Sequence, residues 1–408
     1  MKKNILITGS ILILIFLVLV FFFIENKEKK DKMSTNNDID ISVNLDNGDE
    51  KIDWDSFEEK EITLNDHTIE IDEGGIYTLK GNIDNGSIIV NTNSYVKLIL
   101  DNINIKNDNG PAIIIESANT TVIELKTGTE NYLEDGKEYK NSEYDGCIFS
   151  RDDLVFQGIG TLNIKSNYLD GIVSNDDLKI INGTYIINSN DDGIRGKDSV
   201  YIKDGTFTIK SNSDGIKSTN DSDIEKGYIN IEKGNFIIES GEDAFQSNKK
   251  LIIYDGTYTI KTTDSSSKAL KSVDSLVIKN GTFKIDSKDD AIHSNNYVGI
   301  ENGIIEIISG NDVIHADNEI IINGGTVIAV GSSVTKRISS TSKQYSLTFY
   351  LDKFYEEKIT LEDNKGKEIV TYNPEKQYSF ILISSSKLKK DETYTLKING
   401  KTITTLKT

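Results

Sequence analysis

Eight positions of the chain, seven of them aspartate, recur at a nearly constant step. They are Asp145 in "YDGCIFS", Asp170 in "LDGIVS", Asp192 in "DDGIRG", Asp214 in "SDGIKS", Asp243 in "EDAFQS", Lys268 in "SKALKS", Asp290 in "DDAIHS" and Asp312 in "NDVIHA". A further acid precedes the marker at Asp191, Glu242 and Asp289. Three residues beyond the markers lies a second series, Val173, Arg195, Lys217, Gln246, Lys271, His293 and His315, which holds two of the chain's three histidines. A third follows at Asp176, Asp198, Asp274, Asn296 and Asn318. Carboxylates repeated in this way are hard oxygen donors, suited to calcium (Ca2+) and poorly suited to zinc. The candidate calcium ligands are therefore Asp170, Asp191, Asp192, Asp214, Asp243, Asp289, Asp290 and Asp312. Arg195, Lys217 and Lys271, with His293 and His315, are candidates to meet the carboxylates of an anionic sugar. Each of these residues also has a plainer role open to it, since Asp-Gly is ordinary turn chemistry and neighbouring bases neutralise acids.

The markers are 25, 22, 22, 29, 25, 22 and 22 residues apart, a 22-residue period with small insertions. Self-similarity at such a period belongs to solenoids. Within each unit, alternating stretches flank a glycine turn, as in "LKIINGTYIINS", "VYIKDGTFTIKS", "LIIYDGTYTIKT" and "LVIKNGTFKIDS". Period two with β-branched and aromatic residues predicts strands, and Asn-Gly or Asp-Gly predicts a turn with positive φ. The expectation is an all-β chain, a right-handed parallel β-helix of about 22 residues per coil with three short strands each. Equivalent residues then stack about 4.8 Å apart, and each series becomes a vertical file. Bare carboxylates stacked at that distance repel one another, so cations, adjacent bases or water must compensate.

The 408 residues carry 46 Lys plus Arg against 65 Asp plus Glu, a net charge of −19, which excludes a basic groove for nucleic acid. Residues 1–24 begin with Lys2 and Lys3 and continue as an almost wholly apolar run, long enough to cross a bilayer, with no small-residue cleavage site. They are expected to be a signal-anchor with the remainder outside the cell or secreted, and the single Cys147 precludes an internal disulfide. Residues 25–50 are a polar linker, 51–333 the β-helix, and 334–408, where the 22-residue step is lost, a small C-terminal β cap. Within the helix, "TENYLEDGKEYKNSEYDG" is expected as one long loop. Only one tryptophan is present, but Tyr168 and Tyr297 are candidates for stacking on sugars.

Beyond these residues, "LDGIVS…NSNDDGIRG" resembles the calcium-binding coils of β-helical pectate lyases of polysaccharide lyase family 9. That likeness implies calcium ligation by Asp170, Asp191 and Asp192, although Arg195 stands where the lyases have a further aspartate. It also makes Lys217 and Lys271 the candidates for a catalytic base, which beside an acid file should have a raised pKa. "GIYTLKGNI", "VKLILDNINI", "DDLVFQGIGTLNIKS", "NDDLKIINGTYIINSNDDGI" and "LISSSKLKKDETYTL" together resemble a clostridial carbohydrate-binding β-helix family. This implies a calcium-dependent protein that binds acidic cell-wall polysaccharide without cleaving it. A calcium-dependent lyase and a surface adhesin or structural solenoid remain the alternatives.

Overall fold

The computed structural model describes residues 52–65 and 67–408. It is an all-β, right-handed-style solenoid of about 12 turns with almost no helix. One coil consists of strands Asp177–Ile180, Thr184–Ser189 and Ile194–Gly196; the next has Ser199–Ile202, Thr206–Ser211 and Ile216–Ser218. Successive coils pair in parallel and in register: Leu178 with Val200, Tyr185 with Phe207, Ile194 with Ile216. The third strands of all coils, from Ile69–Ile71 to Ile314–Ala316, make an 11-stranded parallel sheet.

Alternation explains this arrangement locally. In Thr206–Ser211 every second residue is buried, so Phe207, Ile209 and Ser211 point inward while Thr206, Thr208 and Lys210 face out. The inward residues stack into ladders. One consists of Ile172, Ile194, Ile216, Phe245, Leu270, Ile292 and Ile314, all wholly buried. Another is aromatic: Tyr185, Phe207, Phe236, Tyr258 and Phe283 lie ring on ring with centroids 5.1, 4.7, 4.9 and 4.4 Å apart. Between first and second strands the glycine turns have positive φ, as at Gly205 (φ +147°), where a Cβ would stand 2.8 Å from the Phe207 ring.

One segment departs from expectation. The long loop begins only at Asp135, because Glu130–Glu134 is a strand paired in parallel with Thr161–Ser166. Asn131 is buried there and its side-chain amide bonds carry the register, donating to the Thr161 carbonyl and accepting from the Ile103 amide. A buried asparagine hides the apolar alternation by which strands are recognised. At the other end, strand Tyr378–Ser385 pairs antiparallel with both Thr326–Gly331, the last solenoid strand, and Ser346–Tyr355. A four-stranded antiparallel sheet completes this region, which belongs to the same compact unit as the coils. No helix among the described residues is long and apolar enough to cross a membrane. The anchor and linker expected at 1–24 and 25–50 lie outside the described residues.

Candidate functional site: a charged file along one wall

The second series is a true file. Val173, Arg195, Lys217, Gln246, Lys271, His293 and His315 are direct register partners on the outer face of the third-strand sheet. Continued toward the N-terminus, the same file is apolar: Ile89, Ile114, Phe149 and Val173. Tyr144 covers that patch with its ring 5.2 Å from Phe149, and the guanidinium of Arg151, held by Glu116 and Glu143, lies 5.6 Å from the centre of the Phe149 ring.

The aspartates at the turn before each third strand form the neighbouring file; Asp145 at its start is half-buried, and those from Asp170 to Asp312 are buried. Each buried one uses one oxygen to tie coil to coil. Oδ1 of Asp170 accepts the Asp192 N–H at 3.0 Å, Asp192 the Asp214 N–H at 2.9 Å, and Asp214 the Asp243 N–H at 2.8 Å. Asp243 accepts the Lys268 N–H at 2.7 Å and Asp290 the Asp312 N–H at 3.0 Å. The second oxygen meets a basic or imidazole side chain of the second file, three residues on in the same coil or in the coil that follows. Arg195 Nε lies 2.7 Å from Asp170, Lys217 Nζ 2.8 Å from Asp214 and 3.3 Å from Asp192, and Lys271 Nζ 2.7 Å from Asp243. His293 Nδ1 is 2.8 Å from Asp290, His315 Nδ1 is 3.3 Å from Asp312, and the two imidazoles stack at 4.3 Å. Arg195 reaches back to Asp145 as well. Gln246, its amide turned to donate, spans Asp214 and Asp243 at 3.1 Å. Where the file has Lys268 in place of an acid, that lysine bonds Asp289 at 2.7 Å.

The repulsion of stacked carboxylates is thus relieved from within the chain, by backbone amides and by alternating bases. The balance is tight. Burial drives Asp170 and Asp214 up to about 7 despite their basic neighbours, with adjacent file aspartates adding to the rise. Burial pulls Lys217 down, but Asp214 and Asp192 more than reverse it, so this amine is held protonated. That is the wrong direction for a catalytic base.

Of the eight predicted calcium ligands, the structure gathers three: oxygens of Asp170, Asp191 and Asp192 lie within 4.8 Å of one another. Asp191 is the outermost, and burial with the Asp192 charge raises its pKa. Asp214, Asp243, Asp289, Asp290 and Asp312 are each engaged by a base or imidazole. Asp290, His293 and His315 also come together, one Asp290 oxygen lying 2.8 Å from His293 Nδ1 and 3.5 Å from His315 Nδ1 at the edge of the stacked rings. A further acidic group, Asp153, Asp176 and Asp177, sits at the turn after the third strand, where burial and the nearby Asp198 push Asp176 up to about 6. Only Asp176 of these was in the sequence-derived files; the doublets "RDDL" and "NDDL", 24 residues apart, were the signal for the others. Neither candidate tyrosine is an exposed platform. Tyr168 packs on Tyr139 at 4.3 Å, and the Tyr297 hydroxyl is buried.

Fold and wall together define a parallel β-solenoid with one ordered row of charged, hydrogen-bonding side chains, a surface with the periodicity of a repeating ligand. The chain belongs to the family of carbohydrate-binding domain-containing proteins, whose model matches residues 65–313. A carbohydrate-binding domain-containing protein of Acetivibrio thermocellus is 32% identical over 159 residues, 37% of this chain and 54% of the relative. The chain therefore spans about half the length of that curated relative. Among solved structures, the polysaccharide lyase-like protein from C. thermocellum, a gadolinium derivative, is 32% identical with a TM-score of 0.50, covering 53% of this chain and 88% of that one.

Proposed function

We propose that this protein binds an acidic, uronate-containing polysaccharide along the charged wall, assisted by calcium, and that residues 1–24 hold it at the outer face of the cell membrane. The observation carrying the reading is the register file itself: Arg195, Lys217, Gln246, Lys271, His293 and His315 present a donor at every coil. Side-chain exposures of 30% at Lys271 and 25% at His315 leave the outer edges of these groups open to a ligand. A polyuronate laid along the axis would meet the same chemistry at each step. A protonated Lys217 favours binding over β-elimination, because a lyase base must first lose that proton.

The calcium site of this reading is the corner of Asp170, Asp191 and Asp192, where three hard oxygen donors crowd together beside the charged wall. Arg195 already holds one oxygen of Asp170, so the ion and the guanidinium compete for that carboxylate. Calcium should accordingly raise the melting temperature, Arg195→Gln should enlarge that rise, and Asp191→Asn should abolish it. Equal melting in calcium and chelator, in wild type and Arg195→Gln alike, rejects the calcium site.

Affinity electrophoresis in polygalacturonate tests the wall. The double substitution Lys271→Ala, His315→Ala should weaken retardation by about tenfold, roughly 1.4 kcal/mol. Retardation unchanged by this variant would remove the wall as the binding surface. Accumulation of unsaturated product in the ultraviolet would establish the lyase instead. Membrane fractionation with and without residues 1–24 tests the anchor.

A further inference from the structure

A concave surface lies away from the charged wall, at the corner of the coils where first and second strands meet beside the C-terminal region. It is a groove of about 580 Å³. Its floor is the Asn-Gly turns of successive coils, and its far wall is supplied by Gln344 and Ser386. Gly303, at φ +116°, keeps the floor at backbone level, since a Cβ there would stand 2.6 Å from the Gly281 carbonyl.

The lining is polar and almost uncharged. Asp255 is its single ionisable side chain, and no base lines it. Some of its groups stiffen the walls. Asn280 donates to Asp255 at 3.1 Å, Asn323 to Glu301 at 3.2 Å, and Gln344 to the Gly325 carbonyl at 3.1 Å and Ser384 at 2.9 Å. Others are open: the side chains of Thr282, Asn302, Thr326 and Ser386 line the groove and bond to no other side chain among the described residues. Ile304, 54% exposed, adds an aliphatic patch.

Amides and hydroxyls that both donate and accept, beside an aliphatic surface, match the hydroxyl edge and C–H face of a neutral pyranose. A uronate would instead bring its carboxylate toward Asp255 with no cation to compensate, which is costly. We propose that this groove binds a segment of neutral glycan, independently of the charged wall and of any cation. The inference rests on the family's carbohydrate-binding character, not on the reading of the charged wall.

Titration calorimetry on the full chain, with cellohexaose, xylohexaose and mannohexaose in turn, is the test. Chelator and about 0.5 M salt silence calcium and screen the exposed charges of the wall. At least one of the three should bind. Thr282→Ala with Asn302→Ala, both at exposed positions, should weaken that binding about tenfold or more without changing the melting temperature. Lys271→Ala with His315→Ala should leave it unchanged, which separates this groove from the charged wall. Failure of all three sugars to bind overturns the proposal, as does binding indifferent to the Thr282 and Asn302 changes.

Discussion

Asp214 concentrates the electrostatics of the wall in one side chain. It is wholly buried, accepts the Asp243 amide, and faces Lys217 at 2.8 Å. Burial raises its pKa to about 7, against roughly 4 in an unfolded chain. The folded state therefore binds more protons than the unfolded one between about pH 4 and pH 7, so this group's contribution to stability falls as pH rises through that window. Asp290 has the opposite sign: burial opposes ionisation, but the His293 hydrogen bond and the Asp312 amide hold its pKa below the ordinary value, so its contribution is lost only in acid. Thermal melts in chelator should decline from pH 5 to pH 8, and Asp214→Asn should flatten the decline, since it keeps the amide contact and removes the charge. Asp214→Ala should instead cost about 3–5 kcal/mol, because it leaves the Asp243 amide unpaired and Lys217 with Asp192 alone. An Asp214→Asn variant with an unaltered pH slope would show that this carboxylate does not titrate in the window. The file itself was legible in the 22-residue step and its acid–base spacing. Compensation by the neighbouring bases was legible with it, whereas the amide half was not, because a carboxylate accepting the next coil's N–H leaves no mark on composition.

At the level of the coil, the repeating strand does two jobs with alternate residues. Inward positions build ladders, and outward positions of the third strand build the wall. The aromatic ladder shows how strongly the two are coupled: Phe236 stacks between Phe207 and Tyr258 and also meets Phe245, whose neighbour in sequence is the wall residue Gln246. Phe236→Ala should cost about 3–5 kcal/mol in denaturant unfolding and loosen the wall at Gln246. A cost under about 1 kcal/mol would mean that the neighbouring rings close the cavity. Register was readable wherever apolar alternation was intact, as in "VYIKDGTFTIKS". It failed at Glu130–Glu134, where buried Asn131 does with hydrogen bonds what an isoleucine does elsewhere by packing. The groove beside the cap was likewise invisible, because its far wall comes from residues beyond the repeats.

A solenoid stabilises each coil only through its neighbours, so the ends decide how the stack behaves in solution. Here the last parallel strand, Thr326–Gly331, is not left bare. Tyr378–Ser385 runs antiparallel along it and places Phe380 and Leu382 in the solenoid core, while Ile381 and Ile383 join the second hydrophobic cluster with Ile328 and Val330. Antiparallel pairing matters, because a parallel strand would extend the coil pattern and offer a fresh edge of the same kind, whereas this one is itself covered on its other side by Ser346–Tyr355. Removing residues 334–408 should therefore expose a long apolar edge and yield dimers or larger species by light scattering. It should also speed hydrogen exchange in the last coils, including the strand Ile314–Ala316 that carries His315. Exchange around Arg195, several coils away, should change little, since end fraying in a nearest-neighbour stack decays with distance. A truncated chain that stays monomeric, with protection at His315 equal to the full chain's, would mean the stack terminates itself and the C-terminal region serves only to wall the groove.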